Sequence, residues 1–218
     1  MVGRSNLQNI VDWSNLQNIE IDTLKEIGNI GAGNAATAMS KMLGRRIILK
    51  VPAVNIVEFK DIAESLGGPE QIVIGVLIQI TGDINGMMMF LVRKESGAVL
   101  IHSLMGDLAP QQDSDNFTEM ELSAMNEIGN ILASSYLGSL AGFIQKNVIP
   151  SVPFLSIDMA NAILSVPAIE FGKTADQALL IESVFETNTD SLSGYFLLIP
   201  DVPSLQLILS ALGVRRDA

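Results

Sequence analysis

The 218-residue chain is 48% hydrophobic, enough to bury a real core. Its formal charge of −11 excludes sequence-independent nucleic-acid binding, which needs Lys and Arg to displace phosphate counterions, and fits a partner with a basic patch better. The absence of cysteine excludes disulfides and thiolate metal sites.

Residues 1–20 form a lead-in that carries SNLQNI twice, beginning at Ser5 and at Ser14, and no apolar stretch of signal-peptide length. The cytoplasm is therefore the expected compartment. Leu24, Ile27, Ile30, Ala35, Met39 and Leu43 recur at helical spacing and predict one long helix over 21–43, stopped by Gly44. Residues 46–51 read as a buried strand ended by Pro52, and 59–66 as a short helix closed by Gly67, Gly68 and Pro69. The segments 71–80 and 87–93, around the turn from Gly82 to Gly86, predict a β-hairpin with the run Met87-Met88-Met89 in its core. Gln79, Thr81, Asp83 and Asn85 keep 72–92 short of the ~20 apolar residues of a membrane span. Helical periodicity returns over 95–105.

After a linker at 109–117 the order recurs. Thr118-x-x-Glu121 is a capping-box pattern opening a helix toward Ile144, and 152–157 is read as the matching strand. A second hairpin is expected over 178–186 and 194–199, and a last helix over 202–212. Gly194 stands 108 positions after Gly86, whereas the long helices repeat at 101, so seven extra residues are placed between helix and hairpin. Hairpins imply antiparallel pairing. The predicted class is α+β, with two pseudo-symmetric repeats, 21–108 and 118–214, in one compact domain whose mainly antiparallel sheet is covered by long helices.

Each long helix carries the same short pattern: Asp22-x-x-x-Glu26-x-x-Asn29 with Pro52, and Ser123-x-x-x-Glu127-x-x-Asn130 with Pro153, 22 residues separating Asn from Pro both times. At ~100° per residue, Asp22, Glu26 and Asn29 share one helix face, as do Ser123, Glu127 and Asn130. A polar stripe can be a solvated face, but a repeated one points to two equivalent sites. Gly28 and Gly129 are poor helix formers, and close approach by something to the motif face would explain them. An Asn amide does not titrate and cannot be a base, yet it can hold a water in line with a phosphorus atom. The Glu could act as base, metal ligand or salt-bridge partner, and docking against a cation is the simplest role. Asp22 and Ser123 read as helix-stabilising polar residues, secondary to the site, and Pro52 and Pro153 as edge or bulge residues that shape the backbone beside it.

The doubled pattern resembles the CheC family of bacterial chemotaxis phosphatases, from about residue 21 to 213. That resemblance implies hydrolysis of the aspartyl phosphate on the response regulator CheY. Glu26 and Glu127 would pair with a regulator lysine, and Asn29 and Asn130 would orient the attacking water. It implies Mg²⁺ carried by the regulator and no cofactor held by this chain, phosphorylated CheY and CheD as partners, and no membrane insertion. The alternatives are a non-catalytic binding module for phospho-CheY or CheD, and a flagellar-switch component; the second is less expected because no switch domain follows residue 213. Differing neighbours, Lys25 against Asn126, predict unequal output from the two faces.

Gly31-x-Gly33-x-x-Ala36 mimics a dinucleotide fingerprint, but it lies inside a predicted helix instead of opening one after a strand. Small residues for tight helix packing are the expected reason. His102, the single histidine, has no second catalytic group near it in sequence and reads as structural.

Overall fold

A computed structural model describes residues 16, 18–44, 46–105, 117–171, 177–186 and 191–213. The chain runs through α1 (Asn18–Leu43), β1 (Ile48–Lys50), β2 (Val54–Glu58), α2 (Phe59–Ser65), β3 (Ile72–Gly82), β4 (Gly86–Arg93) and α3 (Lys94–Met105). It continues through α4 (Glu119–Ile144), β5 (Val148–Pro150), β6 (Phe154–Met159), α5 (Ala160–Phe171), β7 (Gln177–Glu186), β8 (Ser191–Pro200) and α6 (Val202–Ala211). Most of the 1–20 lead-in and of the 109–117 linker lies outside the described residues.

The helix boundaries follow local chemistry. Gly44 ends α1 at φ 65°, where a glycine costs nothing. The Glu121 N–H donates to Thr118 Oγ1 at 3.3 Å and the Thr118 N–H to the Glu121 carboxylate at 2.8 Å, so the expected capping box opens α4.

Among the described residues, all eight strands belong to one sheet in the order β1-β7-β8-β4-β3-β5, with β2 also on β7 and β6 also on β3, and every pairing is antiparallel. The edge strands are exchanged. β1 and β2 add to the second hairpin, whereas β5 and β6 add to the first, so neither half completes its own sheet. A pseudo-twofold axis runs between the central strands β4 and β8, where Phe90 faces Phe196.

Two faces of this sheet are buried. Met88, Phe90 and Val92 of β4 point into a core shared with α1, α3, α4 and α6. Met87, Met89 and Leu91 point the other way, against Ile62 of α2, Leu66 just after it, and Ile163 and Leu164 of α5. Both sides of β4 are thus apolar, which is why the methionine run shows no polar alternation. The long helices cover one face, and the short α2 and α5 cover the second, which the sequence pattern did not foreshadow.

Three expectations shift. Residues 46–58 hold two strands where one was expected, and 152–157 overlaps β6, the counterpart of β2, while the counterpart of β1 is β5. The reason is one bulge per copy. Lys50 pairs with Val184 and Val54 with Ile181, so four steps on one strand oppose three on the other, with Pro52 in the interruption; Pro150 with Ile80 and Phe154 with Leu77 repeat this around Pro153. Finally, the extra residues of the second half do not all precede its hairpin. Some lie in α5, twelve residues against seven in α2, and the rest fall within the β7–β8 hairpin.

Candidate functional site

The motif residues occupy the first half of α1 and of α4, on the side turned away from the sheet. Asp22, Glu26, Ser123 and Glu127 are exposed, and Asn29 and Asn130 are half-buried, an identical pattern in both copies. Glu26 and Glu127 make no hydrogen bond or ion pair among the described residues, so each presents an uncompensated carboxylate to solvent. Ser123 Oγ donates to the Glu119 carbonyl at 2.8 Å, a helix-internal role. Pro52 and Pro153 sit in the two edge-strand bulges.

Gly28 and Gly129 overturn one expectation. Both are buried on the side of the helix opposite the Glu, against the protein's own sheet. A Cβ on Gly129 would stand 2.6 Å from Val76 Cγ1 of β3, and one on Gly28 would stand 3.4 Å from Val51 Cγ1. The close approach is therefore internal, and nothing need touch the motif face to explain it.

The two amides differ. The Val51 N–H donates to Asn29 Oδ1 at 3.0 Å, while Asn29 Nδ2 donates to the Val51 carbonyl at 3.4 Å and to the Lys25 carbonyl at 3.1 Å. Asn29 thus imitates a strand neighbour for the residue just before Pro52, where the bulge interrupts the ladder. This accounts for the 22-residue spacing of the first copy. Both Asn29 N–H groups are used. The second copy is built otherwise: Val152, the counterpart of Val51, is 87% exposed whereas Val51 is 2% exposed. Its carbonyl accepts from Ser151 Oγ at 2.9 Å, and Ser151 is held by Gln79 of β3. Asn130 consequently has no hydrogen bond among the described residues.

Sequence reasoning missed Asn126. Its Oδ1 is buried without a partner, one turn before Asn130. The remaining candidates are settled by position. Gly31 lies at the crossing of α1 and α4, where a Cβ would meet Tyr136 Cα at 2.9 Å, so this glycine serves helix packing, whereas Gly33 is exposed with nothing within 4 Å of a Cβ. His102 is exposed on α3. Among the described residues no three His, Asp or Glu side chains cluster as a metal site, and no helix is long and apolar enough to cross a membrane.

Fold and site together define an α+β protein with two pseudo-symmetric helix faces, each offering a free carboxylate beside an amide. A family model described as the CheC-like family matches residues 19–56 and 120–157, the two stretches that carry the motif from helix to bulge. The chain is 32% identical over 205 residues, 92% of its length and 97% of the relative's, to the CheY-P phosphatase CheC of Bacillus subtilis. It is 25% identical over 62% of its length to a putative CheY-P phosphatase CheC1 of Halobacterium salinarum, covering 67% of that protein. Among solved structures, Thermotoga maritima FliY superposes with a TM-score of 0.72 at 23% identity, covering 91% of this chain and 98% of that one, a likeness of fold. The chain belongs to the CheC-like family.

Proposed function

We propose that this protein hydrolyses the aspartyl phosphate of the response regulator CheY in the cytoplasm. The observation that carries the proposal is the second motif face: an unpaired, exposed Glu127 one turn from Asn130, whose amide is committed to nothing. It is supported by membership of a family with a relative named as a CheY-P phosphatase.

In this reading Glu127, and in the first copy Glu26, pairs with a lysine of the regulator and fixes the complex in register. A net charge of −11 favours that encounter with a basic surface. Asn130 holds a water in line with the phosphorus. The water oxygen bonds to phosphorus, the bond to the aspartyl oxygen breaks, and inorganic phosphate and the free carboxylate leave. Acceleration comes from positioning, since in this reading Glu127 is engaged by the regulator lysine and an amide does not titrate. Mg²⁺ on the regulator would offset the developing charge. CheD is expected as a binding partner.

The faces are unequal in this account. Asn29 must release Val51 before its amide can hold a water, so the first face turns over slowly and acts chiefly in docking. The binding-module reading, without turnover, is favoured at that face by the same bonds. Substituting Asn29 and Asn130 together by Ala should abolish accelerated phosphate loss from phospho-CheY while leaving complex formation intact. A double variant with the wild-type rate would refute the enzymatic reading.

A further inference from the structure

The second motif face holds an unmatched acceptor and an unmatched donor one helical turn apart. Asn126 Oδ1 is buried and accepts from nothing. Asn130, four positions later, has an amide whose N–H groups reach no acceptor among the described residues. A buried carbonyl oxygen without a donor is costly, and such atoms persist where a site uses them. Residues four apart lie on the same side of a helix, close enough for an amide pair to bond after a rotation about the side-chain torsions.

The first copy shows what an anchored motif amide looks like. There Asn29 Nδ2 donates to the main-chain carbonyl of Lys25, the residue in the place of Asn126. Asn130 makes no such bond to the main chain of residue 126, and the side chain at that place is an amide in the second copy alone.

We propose that Asn126 is a positioning residue for Asn130: when the phosphorylated regulator closes over the face, Asn130 Nδ2 donates to the buried Asn126 Oδ1. Oxygen and nitrogen sit at opposite ends of one planar amide. Holding the nitrogen inward turns Asn130 Oδ1 outward, where it accepts a hydrogen bond from the attacking water and fixes its orientation. Lys25 cannot do this in the first copy, so the same chemistry is unsupported there. The inference rests on the proposed hydrolysis of phospho-CheY.

Its test uses the full chain with Asn126→Ala and with Asn126→Leu, which fills the same volume without an acceptor. Phosphate release from phosphorylated CheY should show kcat lowered about tenfold or more, as for a misplaced orienting group, with KM unchanged. Tm should be unchanged or raised, because an unsatisfied acceptor has been removed. Adding Asn126→Ala to Asn130→Ala should cost nothing further. Wild-type kcat in either variant would overturn the proposal. So would a fall in Tm that parallels the loss of rate, or losses that multiply in the double variant. A wild-type protein that does not shorten the life of phospho-CheY would overturn the hydrolytic reading itself, and the proposal with it.

Discussion

Asn29 and Asn130 occupy the same place in the same four-residue sequence, and their surroundings give them different work. Asn29 closes three hydrogen bonds, two of them on the Val51 backbone at the first edge bulge. Removing its amide leaves a main-chain N–H and carbonyl at that edge without their partner, a loss of about 1–2 kcal/mol. Asn130 closes none, and its truncation should fall within about 0.5 kcal/mol of wild type. Urea denaturation of Asn29→Ala and Asn130→Ala measures both, and equal midpoints would contradict the difference in bonding. The sequence made the shared helix face of Glu and Asn legible, because helical spacing is a local property. It could not show that Val51 is buried while Val152 is exposed, since that depends on how each edge strand meets the opposite hairpin. The orphaned Asn126 was illegible for the same reason: a satisfied and an unsatisfied asparagine are spelled alike.

At the scale of elements, the long helices sit at unequal distances from the sheet. Val76 of β3 would be 2.6 Å from a Cβ at position 129, whereas Val51 would be 3.4 Å from one at position 28. Gly129→Ala should therefore overpack the α4 contact at a cost of about 1–3 kcal/mol. Gly28→Ala should be neutral or stabilising, since it meets an ordinary contact and regains about 1 kcal/mol of helix propensity. Thermal unfolding of the pair checks the ordering, and an equal loss in both would show that α1 seats as closely as α4. The helices α1, α3, α4 and α6 and both hairpins were readable because apolar periodicity, a capping box and turn glycines agree locally. Pro52 and Pro153 read as edge or bulge residues and sit in bulges, but the resumption of pairing beyond each was not readable, because only the partner strand shows it. Nor was α5, whose apolar residues cover more than one side and which contains Pro167.

Across the described residues, the exchanged edge strands join the two halves in one sheet, and α1 and α4 pack against each other over it. Tyr136 of α4 lies at that junction, its ring tilted against Phe196 and its hydroxyl bonded to the fully buried Ser183 hydroxyl at 2.9 Å. Burial pushes its hydroxyl up to about 12, against a smaller downward pull from Ser183. A raised folded-state value means the stabilisation is fully present below the unfolded value near 10 and is lost as pH rises toward 12. The loss is on the order of 2 kcal/mol. Tyr136→Phe should flatten the decline in stability between those pH values relative to wild type, and an unchanged decline would place its cause elsewhere. The same junction packs the two motif helices together, and the difference between the faces lies in their own amides. That difference is tested most directly by following the decay of phosphorylated CheY with wild type, Asn29→Ala and Asn130→Ala, each at a temperature where it is folded. Asn130→Ala should lose most of the acceleration while Asn29→Ala keeps most of it. Equal losses, or a larger loss from Asn29→Ala, would contradict the account.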